Sequence, residues 1–424
     1  MTVAVIGVGY VGLPLAQALA ATGRETLGFD LQEGRVSELN RGIDRNDPEG
    51  AGFVVPDCLR FTSNPEDLRG CSAYLIAVPT PIDADRRPDL APLISASQMV
   101  GGVLAKGALV VVESTVHPGA TETVVIPELE AVSGLKAGVD FKVGYSPERI
   151  NPGDQRHGLA EVVKVVSGLD APSLQSMVEL YGPIVPAGLH QASSIMVAEA
   201  AKITENVQRD VNIALMNELA LVFDRIGIRT EDVLQAARTK WNFAPFSPGL
   251  VGGHCIGVDP YYLIARAEAE GYYPELIRSA RRLNDGISEY VADKLVLLLA
   301  SEGVAIKGAK VAVLGITFKE DVSDIRNSQI PAIIDRLQEL GAELLVVDPL
   351  VDAEVARREL GIELAELADL AMLDGLVLAS PHRTFLAGGG EALLNLLKPN
   401  GLLIDIKSRI SSDLVEPDYK YWSL

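Results

Sequence analysis

A single cysteine stands in a stretch made mostly of glycine, proline and apolar residues, FSPGLVGGHCIGVDP at 246–260. Three glycines lie close to Cys255 in this stretch, and Asp259 follows it four positions later. A poorly covered thiol can act as a nucleophile when a nearby base or cation favours the thiolate. Burial as a small packing residue is the usual role of a free cysteine, and the residues alone leave both interpretations open.

A glycine-rich turn follows the first apolar run of the chain. Gly7, Gly9 and Gly12 form a GxGxxG pattern after TVAVI, and Asp30 follows Gly12 by 18 residues at the end of the next apolar run. Such glycines permit a tight turn and close approach of the backbone to a pyrophosphate, and the acid accepts hydrogen bonds from the adenosine ribose. The pattern predicts an NAD site, and Asp30 disfavours the 2′-phosphate of NADP by like charge.

Four further polar residues stand where ligands commonly bind. Lys202 and Asn206 are spaced i, i+4 and share one face of a predicted helix. That face could instead be solvated, with an ion pair between Glu199 and Lys202. Thr115 and Glu148 each end a predicted strand, which is where doubly wound sheets bind ligands, although both would also suit a cap or a turn.

A cluster of charged residues lies in ITFKEDVSDIRNS, directly after another predicted strand. Lys319, Asp321 and Arg326 of this cluster either contact a ligand or belong to a plain charged loop. The histidines are isolated from one another, and nothing marks any of them as a metal ligand. We therefore predict no metal site.

Alternating elements must position these residues. From Thr2 to Glu148, apolar β-rich runs alternate with helical periodicity, which predicts a parallel sheet covered on both faces. Residues 193–226 contain no Gly or Pro and predict one long helix or two nearly continuous ones. After about Gly308, KVAVLGITFK echoes VAVIGVGY without the glycine fingerprint, so a second doubly wound domain should bind something other than a dinucleotide.

The predicted fold is therefore α/β, with two doubly wound, Rossmann-like domains joined by a long central helix and a helical dimerisation region. We expect an NAD-binding domain at 1–190, a central helical domain with the cysteine loop at 191–305, and a substrate-binding domain at 306–424. A chain of 424 residues is long enough for such an organisation.

Composition excludes several classes of partner and location. A formal net charge of −20 disfavours nucleic acids and anionic membranes, which need clustered Lys and Arg. Three cysteines without CxxC spacing argue against disulfides or a structural zinc site and favour a reducing cytoplasm. The first 23 residues carry no charge, but their glycines and the missing basic region argue against a signal peptide or membrane helix, so we expect a soluble protein.

Several motifs together resemble the UDP-glucose/GDP-mannose dehydrogenase family. In chain order they are GVGYVGLPLA, ESTVHPGAT, GYSPERINPGD, EAAKITENVQRDVNIALMNE, GGHCIGVDPYY and GITFKEDVSDIRNS, so the resemblance covers nearly the whole chain. It implies a four-electron oxidation of a sugar C6 alcohol to a carboxylate, with two NAD and one active site. Since the family's central helices pair across a two-fold axis, it also implies a homodimer at least.

The resemblance assigns roles residue by residue. Cys255 becomes the nucleophile that forms a hemithioacetal and then a thioester, and Lys202 stabilises the negative oxygen. The other catalytic positions, for assistance, water activation and acid–base work, are Asn206, Asp259, Thr115 and Glu148. The matching cofactor positions are Gly7, Gly9, Tyr10, Val11, Gly12, Asp30, Arg35, Thr80, Thr115 and Arg326. The matching substrate positions are Glu148, Arg149, Asn151, Lys202, Asn206, Phe246, Gly249, Gly252, Gly253 and Lys319.

Departures from the UDP-glucose pattern favour a different sugar. Val258 stands where UDP-glucose enzymes usually have a lysine, and Ala244 stands where they often present an aromatic to uracil, a contact that Phe243 or Phe246 could replace. The motifs look most like the branch that oxidises UDP-N-acetylgalactosamine or UDP-N-acetylglucosamine to uronic acids for surface polysaccharide or O-antigen. UDP-N-acetylmannosamine and UDP-glucose are alternative substrates. A two-electron hydroxyacid dehydrogenase and a catalytically silent NAD-binding protein are the alternative functions.

Overall fold

The computed structural model describes residues 2–45, 52–83, 85–149, 158–411, 414–415 and 419–424. Within it the chain forms two compact units. The first contains Met1–Asn206 and Tyr261–Tyr273, and the second contains Val207–Pro260 and Pro274–Leu424. The predicted domain boundaries near residues 190 and 305 stay predictions.

The first unit is built on a sheet with the strand order β3-β2-β1-β4-β5-β6-β7-β8. Strands β1 to β6 are parallel, β7 is antiparallel to β6, and β8 is parallel to β7. The strand bounds are β1 Val3–Ile6, β2 Thr26–Phe29, β3 Leu59–Thr62, β4 Ala73–Ile76, β5 Leu109–Val112, β6 Lys142–Tyr145, β7 Lys164–Gly168 and β8 Leu189–Gln191. The strand order reverses between β1 and β4, so the carboxyl ends of these strands are the expected ligand edge.

Helices cover both faces of this sheet, because its strands are apolar on both sides. Every residue of β1, β2, β4 and β5 is buried. The first helices are α1 Gly12–Ala21, α2 Glu33–Asn40, α3 Ala91–Val103, α4 Ile126–Ser133 and α5 Ala171–Tyr181. A π-helical turn, Thr121–Val125, leads into α4.

The predicted long helix is a single one, α6, of 32 residues from Ile195 to Ile226. At 1.5 Å per residue it is about 48 Å long. Its first part belongs to the first unit and the rest to the second. The next helices are α7 Thr230–Arg238, α8 Asp259–Ala269 and α9 Glu275–Ser301.

The second unit contains a five-stranded parallel sheet with the order β10-β9-β11-β12-β13. Its strands are β9 Lys310–Leu314, β10 Glu343–Val347, β11 Leu373–Leu378, β12 Leu397–Asp405 and β13 Lys420–Ser423. Its helices are α10 Ile330–Glu339, α11 Ala353–Leu360, α12 Arg383–Leu386 and α13 Gly389–Leu394. The α/β fold with two doubly wound sheets and a long helix is thus confirmed, with the strand order reversing between β9 and β11.

Two negative findings concern the described residues alone. No helix among them is both long enough and apolar enough to cross a membrane. No group of three or more His, Cys, Asp or Glu side chains in the same residues is arranged to hold a metal ion.

Candidate active site

The three glycines of the turn after β1 differ in their surroundings. Gly7 has a φ of +88°, and a Cβ atom there would lie 2.8 Å from the carbonyl oxygen of Ala77. At Gly12, the first residue of α1, a Cβ atom would lie 1.8 Å from the carbonyl oxygen of Gly7. Apart from Gly9 itself and its two chain neighbours, no heavy atom of the described chain lies within 4 Å of a Cβ atom built on Gly9. The turn therefore leaves a cradle above Gly9, at the N-terminus of α1, where a pyrophosphate fits.

Asp30 and Arg35 shape this turn from the side. The Asp30 carboxylate accepts hydrogen bonds from the amides of Val8 at 3.3 Å and Gln32 at 3.0 Å. Arg35 is buried, donates through Nε and Nη2 to the carbonyl oxygen of Val8 at 3.3 and 3.1 Å, and pairs with Asp44 at 2.7 Å. Arg35 thus holds the turn through its backbone, and its direct contact with the cofactor stays a prediction.

The next two strand ends complete this edge of the sheet. The Thr80 hydroxyl, after β4, donates to the carbonyl oxygen of Thr115, after β5, at 2.7 Å. The buried Tyr262 hydroxyl donates to the carbonyl oxygen of Thr80 at 2.9 Å. Tyr10 and Val11 are half-buried in the glycine turn. The open cradle at the glycine turn, the Asp30 carboxylate at the end of β2 and the two threonines all fit NAD.

The first half of α6 buries several of its polar residues. Lys202 is 8% exposed and Asn206 is 0% exposed. Glu199 accepts hydrogen bonds from the amides of Gly119 at 2.5 Å and Thr121 at 2.9 Å. The alternative of a solvated face with a Glu199–Lys202 ion pair is therefore wrong. Burial raises the pKa of Glu199 to about 7, although the bonds from Thr121 and Gly119 act in the opposite direction.

The predicted substrate residues after β6 are only partly described. Glu148 Oε1 accepts a hydrogen bond from the amide of Arg149 at 2.6 Å. The Arg149 guanidinium donates to the carbonyl oxygen of Val163 at 2.9 Å and pairs with Glu205 of α6 at 2.7 Å. Asn151 lies outside the described residues. Arg149 is thus tied to α6, and its contact with substrate stays a prediction.

A buried ionic cluster, which the sequence analysis missed, supports the same strand ends. Lys164 Nζ lies 2.9 Å from Glu113 Oε2 and donates to the carbonyl oxygen of Pro147 at 3.3 Å. The Tyr181 hydroxyl donates to the other oxygen of Glu113. Burial raises the pKa of Glu113 to about 7 despite the nearby Lys164 charge. A charged residue directly after one apolar run, in LVVVEST, and directly before another, in KVVSG, was the available signal.

In the second unit, two glycines allow the cysteine loop to pack closely on its neighbours. A Cβ atom at Gly252 would lie 2.7 Å from the carbonyl oxygen of Asn327. Gly253 has a φ of +79°, and a Cβ atom there would lie 2.8 Å from the ring of Phe318. These glycines are needed for loop packing, and their predicted contact with substrate stays a prediction.

Cys255 lies in the turn that starts α8. It forms no disulfide and is half-buried. Its carbonyl oxygen accepts hydrogen bonds from the amides of Val258 at 3.1 Å and Asp259 at 2.9 Å. Asp259 is buried as the first residue of α8. A half-covered thiol at a helix start is compatible with a nucleophile, because a helix N-terminus favours thiolate.

The loop after β9 places Arg326 next to the cysteine loop. Arg326 pairs with Asp324 at 2.6 Å, and its Nη2 lies 3.4 Å from Nδ1 of His254. Asn327 Nδ2 donates to the carbonyl oxygen of Gly253 at 3.3 Å. Two of the predicted positions, Arg326 and Gly253, are thus brought together in this unit.

A cavity of about 310 Å³ opens beside the same loop. Its lining is Ile213, Thr230, Glu231, Ser247, Pro248, Gly249, Leu250, Glu320, Ile406, Lys407, Ser408, Arg409 and Leu424. Gly249 is the one predicted substrate residue among the described residues that line it, whereas Phe246 and Lys319 are half-buried outside the lining. Lys407 and Arg409 were missed, although they follow β12 as Lys319 follows β9. Lys407 pairs with Glu320 at 2.5 Å.

Comparisons with known proteins identify the family of this chain. Models of the UDP-glucose/GDP-mannose dehydrogenase family match the NAD binding domain at residues 1–185, the central domain at 196–286 and the UDP binding domain at 312–412. The chain is 48% identical over 415 residues to UDP-N-acetyl-D-glucosamine 6-dehydrogenase of Pseudomonas aeruginosa, covering 97% of this chain and 98% of that protein.

Two further relatives are equally complete. Protein CapL of Staphylococcus aureus is 46% identical over 422 residues, covering 100% of this chain and 99% of CapL. The solved structure of UDP-D-ManNAc dehydrogenase from Pyrococcus horikoshii superposes with a TM-score of 0.88 at 30% identity, covering 99% of each chain. The chain belongs to the UDP-glucose/GDP-mannose dehydrogenase family and is an NAD-dependent UDP-sugar dehydrogenase.

Proposed function

We propose that this enzyme oxidises C6 of a UDP-N-acetylhexosamine to a carboxylate, with UDP-N-acetyl-D-glucosamine as the preferred sugar. Two relatives named for UDP-N-acetyl-D-glucosamine are 48% and 47% identical to it, against 33% and 34% for two named for UDP-N-acetyl-D-mannosamine. UDP-N-acetyl-D-galactosamine, the other epimer that the sequence motifs favour, is the alternative substrate that must be tested against it. The observation that carries the four-electron reaction is the half-buried Cys255 thiol, which forms no disulfide, in the turn that starts α8.

The proposed chemistry uses Cys255 because an aldehyde cannot lose a second hydride directly. Bound NAD supplies the hydride acceptor in each oxidation. The C6 alcohol first loses a hydride and a proton to become an aldehyde. The Cys255 thiolate then adds to the aldehyde carbon, forming a C–S bond and a tetrahedral alkoxide. Loss of a second hydride gives a thioester, and water replaces sulfur to release the carboxylate and the thiolate.

The other predicted residues would serve these steps. Lys202 is a buried cation that would stabilise the tetrahedral alkoxide, with Asn206 one helical turn further along α6. Thr115 and Asp259 would position the water, and Glu148 would move protons to and from it. Gly7, Gly9, Gly12, Asp30 and Thr80 would hold the NAD, while the cavity lined by Gly249, Lys407 and Arg409 would hold the UDP part.

The setting of the reaction is also a proposal. We infer a cytoplasmic enzyme because Cys58, Cys71 and Cys255 form no disulfide. We infer a homodimer from apolar side chains such as Leu215, Val222 and Ile226 that are exposed on α6. The product would be an anionic sugar donor for surface polysaccharide. Size measurement of the intact enzyme in solution tests the dimer.

Counting NADH per sugar consumed tests the proposed reaction. Purified enzyme receives NAD with UDP-N-acetyl-D-glucosamine, UDP-N-acetyl-D-galactosamine, UDP-N-acetyl-D-mannosamine or UDP-glucose. We expect two NADH per sugar and the highest kcat/KM with the first. Cys255→Ser should lower turnover at least about 100-fold, whereas Cys58→Ser, a matched cysteine variant, should retain it. One NADH per sugar would contradict the thioester route, and turnover with UDP-glucose alone would contradict the sugar assignment.

A further inference from the structure

We propose that Asn217 is a positioning residue that clamps the loop at Gly249 and thereby shapes the site for the UDP part of the substrate. Asn217 lies on α6, and its side chain is fully buried. Its Oδ1 accepts a hydrogen bond from the amide of Gly249 at 2.8 Å, and its Nδ2 donates to the carbonyl oxygen of Gly249 at 3.1 Å. One amide side chain therefore holds both backbone groups of one loop residue.

A second asparagine fixes the orientation of this clamp. The other hydrogen of Asn217 Nδ2 goes to Asn284 Oδ1, at 2.8 Å, and Asn284 lies on α9. Asn284 Nδ2 in turn donates to the carbonyl oxygen and the carboxylate of Asp210, at 3.0 and 2.8 Å. Arg281 Nη1 donates to the same Asp210 carboxylate at 2.5 Å. The hydrogen bond to Asn284 on α9 therefore fixes the orientation of the Asn217 amide that binds Gly249.

The clamp matters because Gly249 and Leu250 line the cavity together with Lys407 and Arg409. The glycine and proline around this position give the loop no regular secondary structure of its own. Removal of the Asn217 amide would leave the Gly249 N–H, its carbonyl oxygen and Asn284 Oδ1 without these partners in a buried place. Because buried polar groups without hydrogen bonds are unfavourable, the loop should shift to pair them again, and this shift would change the cavity wall.

A purely structural role for Asn217 makes a different prediction from a positioning role. A residue that only joins α6 to α9 would lower stability when removed but leave UDP affinity intact. A clamp on the cavity wall would weaken UDP binding and raise the KM for the sugar nucleotide, with a smaller change in kcat. It would leave NAD affinity unchanged, since the glycine turn and Asp30 belong to the first unit.

The test uses the full-length enzyme with UDP itself as the probe. Asn217→Ala and the milder Asn217→Ser are compared with Asn212→Ala. Asn212 is a half-buried asparagine on the same helix, and its Nδ2 donates to the carbonyl oxygen of Gln208 in that helix. Calorimetry measures the Kd for UDP and for NAD, and hydrogen exchange follows the peptide that contains Gly249. We expect Asn217→Ala to raise the Kd for UDP at least about tenfold and to speed exchange of that peptide.

The control variant and the NAD affinity of all variants should match the wild type. An unchanged UDP affinity in a folded Asn217→Ala or Asn217→Ser enzyme would overturn the clamp. The inference rests on the proposed function, because it assigns the cavity to the UDP part of the substrate. Failure of the wild type to bind UDP or turn over any UDP-sugar would reject that function instead, so the two failures are distinguishable.

Discussion

The two doubly wound sheets of this protein use the same residues at the same strand ends, yet only one leaves space for a cofactor. Gly7 follows β1 with a φ of +88°, and Gly315 follows β9 with a φ of +82°. Asp30 accepts a hydrogen bond from the amide of Val8, and Asp348 accepts one from the amide of Ile316 at 2.7 Å. Strand register makes these pairs equivalent.

The difference lies in what stands above each glycine. The residue two places after Gly7 is Gly9, which is open, whereas the residue two places after Gly315 is Thr317, which is buried. The Thr317 hydroxyl lies 3.3 Å from Nε2 of the buried His382, and the same nitrogen lies 3.2 Å from Asp348 Oδ2. In the second sheet, therefore, the Thr317 and His382 side chains occupy the space that is open above Gly9 in the first sheet. The Asp348 carboxylate is already hydrogen-bonded within the protein.

His382 also holds the loop after β9, which contains the predicted site residues Lys319 and Arg326. Counting from the paired strand residues, Thr80 in the first sheet corresponds to His382 in the second. Thr80 bonds to the loop after β5, while His382 Nδ1 accepts a hydrogen bond from the amide of Asp321 at 2.9 Å. A glycine and an acid at the switch point are therefore not sufficient for a dinucleotide site, because the space between them decides.

The largest effect should come from adding a methyl group at Gly12. A Cβ atom there would lie 1.8 Å from a backbone oxygen, which no side-chain movement relieves. We expect Gly12→Ala to abolish folding of the first unit or to weaken NAD binding at least about 100-fold, while Gly9→Ala keeps the wild-type melting temperature. Calorimetry and thermal unfolding measure both. A Gly12→Ala enzyme with normal NAD affinity would break the comparison.

The equivalent positions Thr80 and His382 should differ in what they contribute. His382→Ala removes one hydrogen-bond partner from each of the buried Asp348 and Thr317 side chains, leaves a cavity, and should lower the free energy of unfolding by about 2–4 kcal/mol. Thr80→Ala removes one hydrogen bond and should lower it by about 1 kcal/mol, while raising the KM for NAD. Urea unfolding and steady-state kinetics separate these outcomes. A larger loss of stability in Thr80→Ala than in His382→Ala would contradict the comparison, because it would mean that the side chains at the strand ends of the first sheet are the more tightly packed.

The two acids should differ in the property that they control. Asp30→Asn should weaken NAD binding about tenfold, or about 1.4 kcal/mol, and narrow the preference for NAD over NADP. Asp348→Asn should leave NAD affinity unchanged and lower stability. Kd values for both dinucleotides test this. Equal loss of NAD affinity in both variants would contradict the conclusion that the second sheet has no space for a dinucleotide next to Asp348.

The last effect concerns how buried carboxylates respond to pH. Burial raises the pKa of Glu199 from 4.5 to about 7, so the folded state holds a proton that the unfolded state has lost. Between pH 4.5 and about 7, the contribution of Glu199 to the free energy of unfolding should therefore decrease as the pH rises, by up to about 1.4 kcal/mol per pH unit. Glu199→Gln should remove this part of the slope, whereas Glu122→Gln, an exposed neighbour, should retain it.

Asp348 should show the opposite sign. Burial alone would raise its pKa, but hydrogen bonds from His382 and from the Ile316 amide hold the pKa below its ordinary value of 3.8. Its contribution is therefore present at neutral pH and is lost as the pH falls below about 4. Urea unfolding of Asp348→Asn and Glu199→Gln between acid and neutral pH checks both signs. The same sign in both variants would contradict this assignment.

Local patterns predicted most of the fold. Strands β1, β2, β4, β5 and β6 and the four later strands β9 to β12 follow from apolar runs, and α6 follows from a long stretch without Gly or Pro. Strands β3, β7, β8 and β13 escaped prediction. Of these, β3 alternates buried with more exposed residues over only four positions, which is too short for a clear period.

The sequence by itself determined the glycine turn, Asp30 and the cysteine loop, because these depend on spacing along a few residues and on backbone conformations that only glycine adopts easily. Only the tertiary structure decided that Glu199 turns to the amides after β5, that Glu113 meets Lys164, and that His382 closes the second sheet. These partners lie 80, 51 and 34 residues apart. Their meeting depends on strand order and register, which bring distant residues to one sheet edge and which no local pattern encodes.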